Sequence, residues 1–259
     1  MGSISHCSMV DKGEAVVLVD ESMRSWLVRV SGDVVSVSSV GLVDTSRLFG
    51  LSFGDVVDIN ERRYTIARPS LLDVLNSVKR KAQIVIPKDS GVIVTRTGIR
   101  GGDIVVEAGA GSGALTIVLC HSIFPHGRVI TYEKREDFAG IARKNVEAAG
   151  YSSISSIIVK DICKGIDERD VSAVVLDMPN PWDVLEHAFL ALAPGGSLAV
   201  YVPSMNQLEK TVNSAREAGF QQIFCTETLE REMVVSAGGT RPSFSTLGHT
   251  GYILTARRF

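Results

Sequence analysis

No run of 18 or more consecutive apolar residues occurs in the sequence, so no segment is expected to cross a membrane as a helix. Cysteine is sparse. Cys7, Cys120, Cys163 and Cys225 form no C-x-x-C pair, which argues against a zinc site or a disulfide framework and for a reduced, cytoplasmic protein. Cys120 and Cys163 lie in apolar stretches and read as core filler. His6, His121, His126, His187 and His249 show no metal-ligand spacing, so no metal is expected. A positive surplus is missing too: the net charge is −2. That excludes nucleic-acid binding through bulk charge and leaves local basic patches or a surface shared between subunits. Such pairs include Arg62-Arg63, Lys134-Arg135 and Arg257-Arg258. The opening MGSISHCSM lacks the basic and apolar regions of a secretory signal. His6 stands where a myristoylation pattern needs Ser or Thr, so a loose terminus is expected. Internal repeats and low-complexity tracts are absent.

Apolar residues make up 45% of the chain, enough for a real core. The length suggests one main domain with an appendage. From Glu14 to Ile66 the pattern is short, alternating and β-rich, broken by Gly32-Asp33, Gly41, Gly50 and Gly54-Asp55. It predicts a small barrel or curled sheet, a first domain over 1–68. The stretch SLLDVLNSVKRKAQ, with Ser70 as N-cap, predicts the helix that opens a second domain over 69–259.

Beyond Gly91 helix and strand patterns alternate. GVIVTRTG reads as a helix closed by Gly98, and DIVVEAG, RVITYE, ISSIIVKD, VSAVVLDMP and SLAVYVPS read as strands. Helices are expected at GALTIVLCHSIF, REDFAGIARKNVEAAG, WDVLEHAFLALAPGG and MNQLEKTVNSAREAGF. Repeated β-α units predict an α/β, doubly wound parallel sheet. QQIFCTETL and GYILTARRF, joined by a long Gly/Ser/Pro-rich loop without a helix, predict an antiparallel hairpin at the sheet's edge.

Gly109, Gly111 and Gly113 interrupt an apolar run between a predicted strand and a predicted helix. Glycine there lets a ligand approach the backbone, and the helix N-terminus faces it. Gly109, Gly111 and Ala114 also satisfy the dinucleotide spacing, so an NAD-dependent oxidoreductase is a rival reading. Glu133 ends the second strand, where a carboxylate can accept both ribose hydroxyls. Asp161 ends the third, where it can reach an adenine amine. Glu107, inside the first strand, suits the cationic end of S-adenosylmethionine better than a pyrophosphate. In an open parallel sheet the ligand crevice lies at these carboxyl ends. The following strand runs into LDMPNPW. Pro179 and Pro181 stiffen the turn, Asp177 projects from it, and Trp182 offers a flat face. That arrangement suits a planar base with one carboxylate to hold its amine.

These motifs, EAGAGSGALT, YEKREDFA, DMPNPW and APGGSLAVYVPS, with QIVIPKD upstream and the closing RP…HTGYILTARR, resemble the tRNA (adenine-N1)-methyltransferases that modify T-loop adenines at positions 57/58. The resemblance covers roughly residues 70–259 and implies a Rossmann-like class I methyltransferase sheet with S-adenosylmethionine as donor. Met178 and Asn180 stand where family members often have Leu and Gln or Glu, which alters the lining but keeps the carboxylate and both prolines. Cofactor contacts are then implied at Val85 within the Gln83–Asp89 stretch, at Glu107, Gly109, Gly111, Ser112, Gly113, Ala114 and Leu115, and at Glu133, Asp161, Ile162 and Asp177. Asp177 matches the catalytic aspartate. Pro179, Trp182, Tyr201, Arg241, His249 and Tyr252 are implied on the substrate side. The resemblance also implies tRNA as partner and a homotetramer whose groove draws on more than one subunit. Alternatives remain: a class I methyltransferase acting on another RNA base or amine, or a non-catalytic RNA-binding subunit.

Overall fold

The computed structural model describes residues 9–81, 83–236 and 238–259, so His6, Cys7 and the expected loose terminus lie outside the described residues except at Met9. The chain divides into two compact units, one ending at Val78 and the other spanning Lys79–Phe259.

The first unit contains β1 (Ala15–Asp20), β2 (Ser25–Arg29), β3 (Val34–Val37), β4 (Gly41–Asp44), β5 (Val56–Ile59), β6 (Arg62–Ala67) and α1 (Leu71–Ser77). An antiparallel sheet runs in the order β2-β1-β6-β5, and β3 and β4 form a separate ribbon. Alternation along β1 and β6 sends Val16, Leu18, Tyr64 and Ile66 into one core, as period-2 patterning requires. Ser70 and Asp73 cap α1 reciprocally, each side chain meeting the other's backbone N–H at 3.2 and 2.9 Å. The helix stops at Ser77, well short of the expected Gln83, because Val78 turns to ψ 126. Since α1 packs on β2, the division falls after Val78 rather than at residue 68.

In the second unit α2 (Pro87–Thr97) is followed by β7 (Ile104–Ala108), α3 (Ala114–Ile123), β8 (Arg128–Glu133), α4 (Glu136–Ala148), β9 (Ser155–Val159), β10 (Val171–Asp177), α5 (Leu185–Ala191), β11 (Leu192–Val202), α6 (Met205–Glu217), β12 (Gln221–Glu227), β13 (Met233–Ser236), β14 (Gly239–Pro242) and β15 (Tyr252–Arg257). The seven-stranded sheet runs β12-β15-β11-β10-β7-β8-β9, parallel from β11 to β9. β15 lies between β11 and β12, antiparallel to both, so the expected closing pair forms with β12 at the edge. Alternate residues face opposite layers. Val106, Ala108, Val174 and Leu176 join the layer with α5 and α6, while Val105, Ala173 and Val175 join the one with α2 and α3.

Three expectations need correction. The helix expected over WDVLEHAFLALAPGG is a 3-10 turn (Pro181–Val184) and the short α5. Pro194 disfavours helical geometry at the residue before it, and Leu192 already takes ψ 144. Cys163 is exposed rather than core filler, because the chain turns at Asp161 into a 3-10 turn (Ile162–Lys164) and Ile162 takes the buried position. The loop expected between the last two strands carries the β13–β14 ribbon, which pairs only with itself.

Candidate functional site

The strand order reverses between β7 and β10: the chain proceeds from β7 outward to β9, then returns to β10 on the other side. Ala108 pairs with Leu176 across this switch point, and the Gly109 N–H donates to the Asp177 backbone carbonyl at 3.0 Å. A crevice opens at the carboxyl ends of such strands. Here it is a cleft of about 610 Å³ whose lining includes Gly109, Gly111, Glu133, Asp161, Ile162, Asp177 and Pro179.

The glycines shape its floor. A Cβ on Gly109 would come within 3.3 Å of Glu133 Oε2 and 3.6 Å of the Asp177 carbonyl, inside the space between the two acids. Gly113 takes φ +81, and a Cβ there would stand 3.1 Å from the Ala142 backbone of α4. Small residues thus let loop, strand and helix close together, while α3 begins at Ala114 with its N-terminus turned to the loop.

The acids differ in what holds them. Buried Glu133 accepts the Gly111 N–H at 3.3 Å and the Arg135 N–H at 3.0 Å. Asp161 accepts the Cys163 N–H at 3.1 Å. That bond holds its carboxyl below the usual range, helped by Lys134 and Lys164. Asp177 is half-buried and has no side-chain hydrogen bond among the described residues, and burial raises it to about 6. Glu107 does not line the cleft. It lies one layer beneath the loop, fully buried, where Oε2 accepts the hydroxyls of Thr116 at 2.6 Å and Thr131 at 2.7 Å and Oε1 has no partner. Burial pushes it up to about 8, so it rests protonated at neutral pH. The expected quartet is therefore a trio at the surface of the cleft and one acid behind it.

Other expected residues form the wall from behind or stand apart. Val85 and Leu115 pack in the core with Ile93, and Ala114 is buried beside them. Ser112 accepts the Lys81 N–H through its hydroxyl and Asn145 through its carbonyl, which pins the loop to α4. Trp182 turns toward α6, where the Lys210 ammonium lies 4.0 Å from its ring centre. Tyr201 pairs in register with Asp177 but is buried outside the cleft. His249 is held by Glu227 and the Pro203 carbonyl at 2.6 and 2.9 Å, and its ring lies tilted 4.8 Å from that of Tyr252. Arg241 lies on the exposed ribbon above Phe244.

Cleft residues that motif reading did not assign to it are Ala108, Tyr132, Lys160 and Cys163, and Lys134 and Arg135 were expected only as a basic pair. Most adjoin a predicted acid in sequence, and that adjacency was the available signal. Chemically, the cleft offers three carboxylates and a close-approach backbone to a cationic or hydroxyl-rich ligand. It holds no group of three or more metal-ligand side chains among the described residues.

Residues 67–240 match the family described as the tRNA methyltransferase complex GCD14 subunit. A Methanocaldococcus jannaschii protein, tRNA (adenine(57)-N(1)/adenine(58)-N(1))-methyltransferase TrmI, is 36% identical, over 93% of this chain and 94% of its own length. Among solved structures, a SAM-dependent O-methyltransferase of Thermotoga maritima superposes with a TM-score of 0.83 at 32% identity, covering 96% of this chain and 94% of its own. The tRNA (m1A58) methyltransferase TrmI of Aquifex aeolicus superposes with a TM-score of 0.76 at 26% identity, covering 97% and 99%.

Proposed function

The chain belongs to the tRNA methyltransferase complex GCD14 subunit family, and from that premise we propose that it transfers a methyl group from S-adenosylmethionine to N1 of a T-loop adenine, position 57/58, in tRNA. The observation that carries this reading is the trio of carboxylates at successive strand ends around one cleft, of which the Asp177 carboxyl alone lacks a hydrogen-bond partner among the described residues.

The donor, when bound, supplies a methyl on a cationic sulfur that leaves as a neutral thioether. The residues present fit it. Glu133 has the burial and position to hold two ribose hydroxyls, and Asp161, beside Ile162, keeps an oxygen free for an adenine amine. Gly109 and Gly111 leave room for close approach. Glu107 supports the loop from behind, its carboxyl fixed by the Thr116 and Thr131 hydroxyls. Adenine N1 already carries a lone pair, so alignment and exclusion of water are the main tasks. The adenine becomes cationic as the N1–CH₃ bond forms. Asp177 stabilises that charge by accepting a hydrogen bond from the exocyclic amine. Pro179 stiffens the turn that carries it.

The target base must leave its stack, at a cost of a few kcal/mol. On this reading Tyr201, Trp182, His249, Tyr252 and Arg241 serve the substrate from outside the cofactor cleft. The same reading assigns a cytoplasmic homotetramer. Exposed Met233 and Val235 on the ribbon and Phe244 just beyond it supply apolar surface for contact between copies. No helix among the described residues is long and apolar enough to cross a membrane.

Incubation with unmodified tRNA and S-adenosylmethionine, followed by mass mapping of nucleosides, tests the proposal. N1-methyladenosine in the T loop is expected. A methyl on a ribose oxygen or another base, or calorimetric binding of NAD in place of S-adenosylmethionine, would overturn it.

A further inference from the structure

Among the charged side chains of the second unit, Lys88 and Asp89 at the start of α2 are buried as a pair, at 5% and 0% exposure, and neither lines the cleft. The Lys88 ammonium has three protons and three acceptors: Asp89 Oδ1 at 2.7 Å, the Thr228 carbonyl at 2.6 Å and the Thr250 hydroxyl at 2.7 Å. The Thr250 hydroxyl in turn donates to Asp89 Oδ2 at 2.7 Å. Thr228 and Thr250 are the two roots of one long excursion that carries β13 and β14. One ammonium therefore fastens both roots to one helix.

Beyond its roots the excursion makes no hydrogen bond to the rest of the chain among the described residues. Among the described residues, the bonds of 230–247 stay inside it: Arg231 to the Ser243 carbonyl, the Ser243 N–H to Glu232, and the β13–β14 ladder. A second brace lies at the root on the solvent side, where His249 bonds Glu227 and Pro203. The same cluster reaches the catalytic edge. The Tyr201 phenol faces Thr250 and Asp89, and the backbone of Gly251 lies against its ring with no room for a Cβ. Tyr201 is the register partner of Asp177. A buried ion pair is weak evidence for stability, because desolvation offsets the attraction; its better-attested use is to fix one arrangement.

We propose that the Lys88–Asp89 pair is a positioning element for the substrate side of the site: it clasps both roots of the 229–249 excursion to α2 and holds the Tyr201 phenol against them, on the strand paired with Asp177. This rests on the methyltransferase reading above only for its kinetic consequence. The cofactor side stands on separate supports, Ser112 with Asn145 and Glu133 with Gly111.

Thr250→Val removes the shared hydroxyl and leaves the ion pair. Lys88→Met combined with Asp89→Asn removes both charges together, so no lone buried charge is left to unfold the chain. In both, hydrogen exchange over 229–249 is expected to rise at least about tenfold while β7 amides stay protected. The kcat/KM for tRNA is expected to fall about ten- to a hundredfold, with the Kd for S-adenosylhomocysteine held within about threefold. Thr250→Ser, which keeps the hydroxyl, is expected to restore protection of the excursion. Wild-type protection of 229–249 in both variants would overturn the proposal. So would a Kd for S-adenosylhomocysteine that worsens in step with kcat/KM. If the wild-type chain methylates no tRNA, the functional reading fails, and hydrogen exchange still decides the clasp.

Discussion

Asp161 and Asp177 stand at the same edge of one sheet, line one cleft and carry the same side chain, yet their chemistry is opposite. Asp161 meets a backbone N–H and two nearby lysines, which favour its charged form. Asp177 has no side-chain donor among the described residues, and burial raises it. Strand-end position fixes where a carboxylate points; the donors supplied by the next few residues fix whether it is a resting anchor or an acid waiting for a partner. The turn after β9 folds back to present the Cys163 N–H, whereas Pro179 and Pro181 deny the turn after β10 two N–H groups.

The difference can be broken from its strong side first. Asp177→Ala is expected to lower single-turnover methylation about 10²–10³-fold while the Kd for S-adenosylmethionine stays within a few-fold; equal turnover would remove Asp177 from the chemistry. Acid should act on the same group. Asp177 takes up a proton as pH falls through about 6, so the wild-type rate is expected to drop about tenfold per unit below that. A pH–rate profile that stays flat to pH 5 would contradict it. Asp161→Asn keeps a cap for the Cys163 N–H but weakens a charged acceptor, so a loss of about tenfold in cofactor affinity with near-normal turnover of the saturated enzyme is expected by calorimetry and saturation kinetics. The smallest effect belongs to Glu107. The folded chain holds its proton up to about 8 against an ordinary value of 4.5, so this group's contribution to stability is full below 4.5 and is lost as pH rises through 8. Glu107→Gln has no proton to lose. Its Tm relative to wild type is expected to rise by a few degrees between pH 6 and 9, and thermal melts across that range would show a constant gap if Glu107 were ionised throughout.

Much of this was legible in the residues. Alternating helix and strand periods marked β7 to β11, and the glycines with Glu133, Asp161 and Asp177 marked the cleft. The misses have physical causes. Period reading cannot see that Pro194 ends α5 early, nor that Ile162 rather than Cys163 turns inward. Glu107 looked like a cleft residue because strand position gives height in the sheet but not the layer into which the side chain points. The Lys88–Asp89 clasp joins residues far apart in the chain, and no local pattern reveals that a lysine will find its acceptors near Thr228 and Thr250. β13 and β14 pair only with each other and carry exposed side chains, so they leave little alternating apolar signature.

The bond from the Gly109 N–H to the Asp177 carbonyl stitches the donor loop to the acid-bearing turn through main chain alone. Replacing the Asp177 carboxyl leaves that thread in place, whereas a side chain at Gly109 would lie against the carbonyl that accepts it. Any shift of the glycine loop is thereby passed to the turn that carries Asp177, so the two sides of the cleft move together.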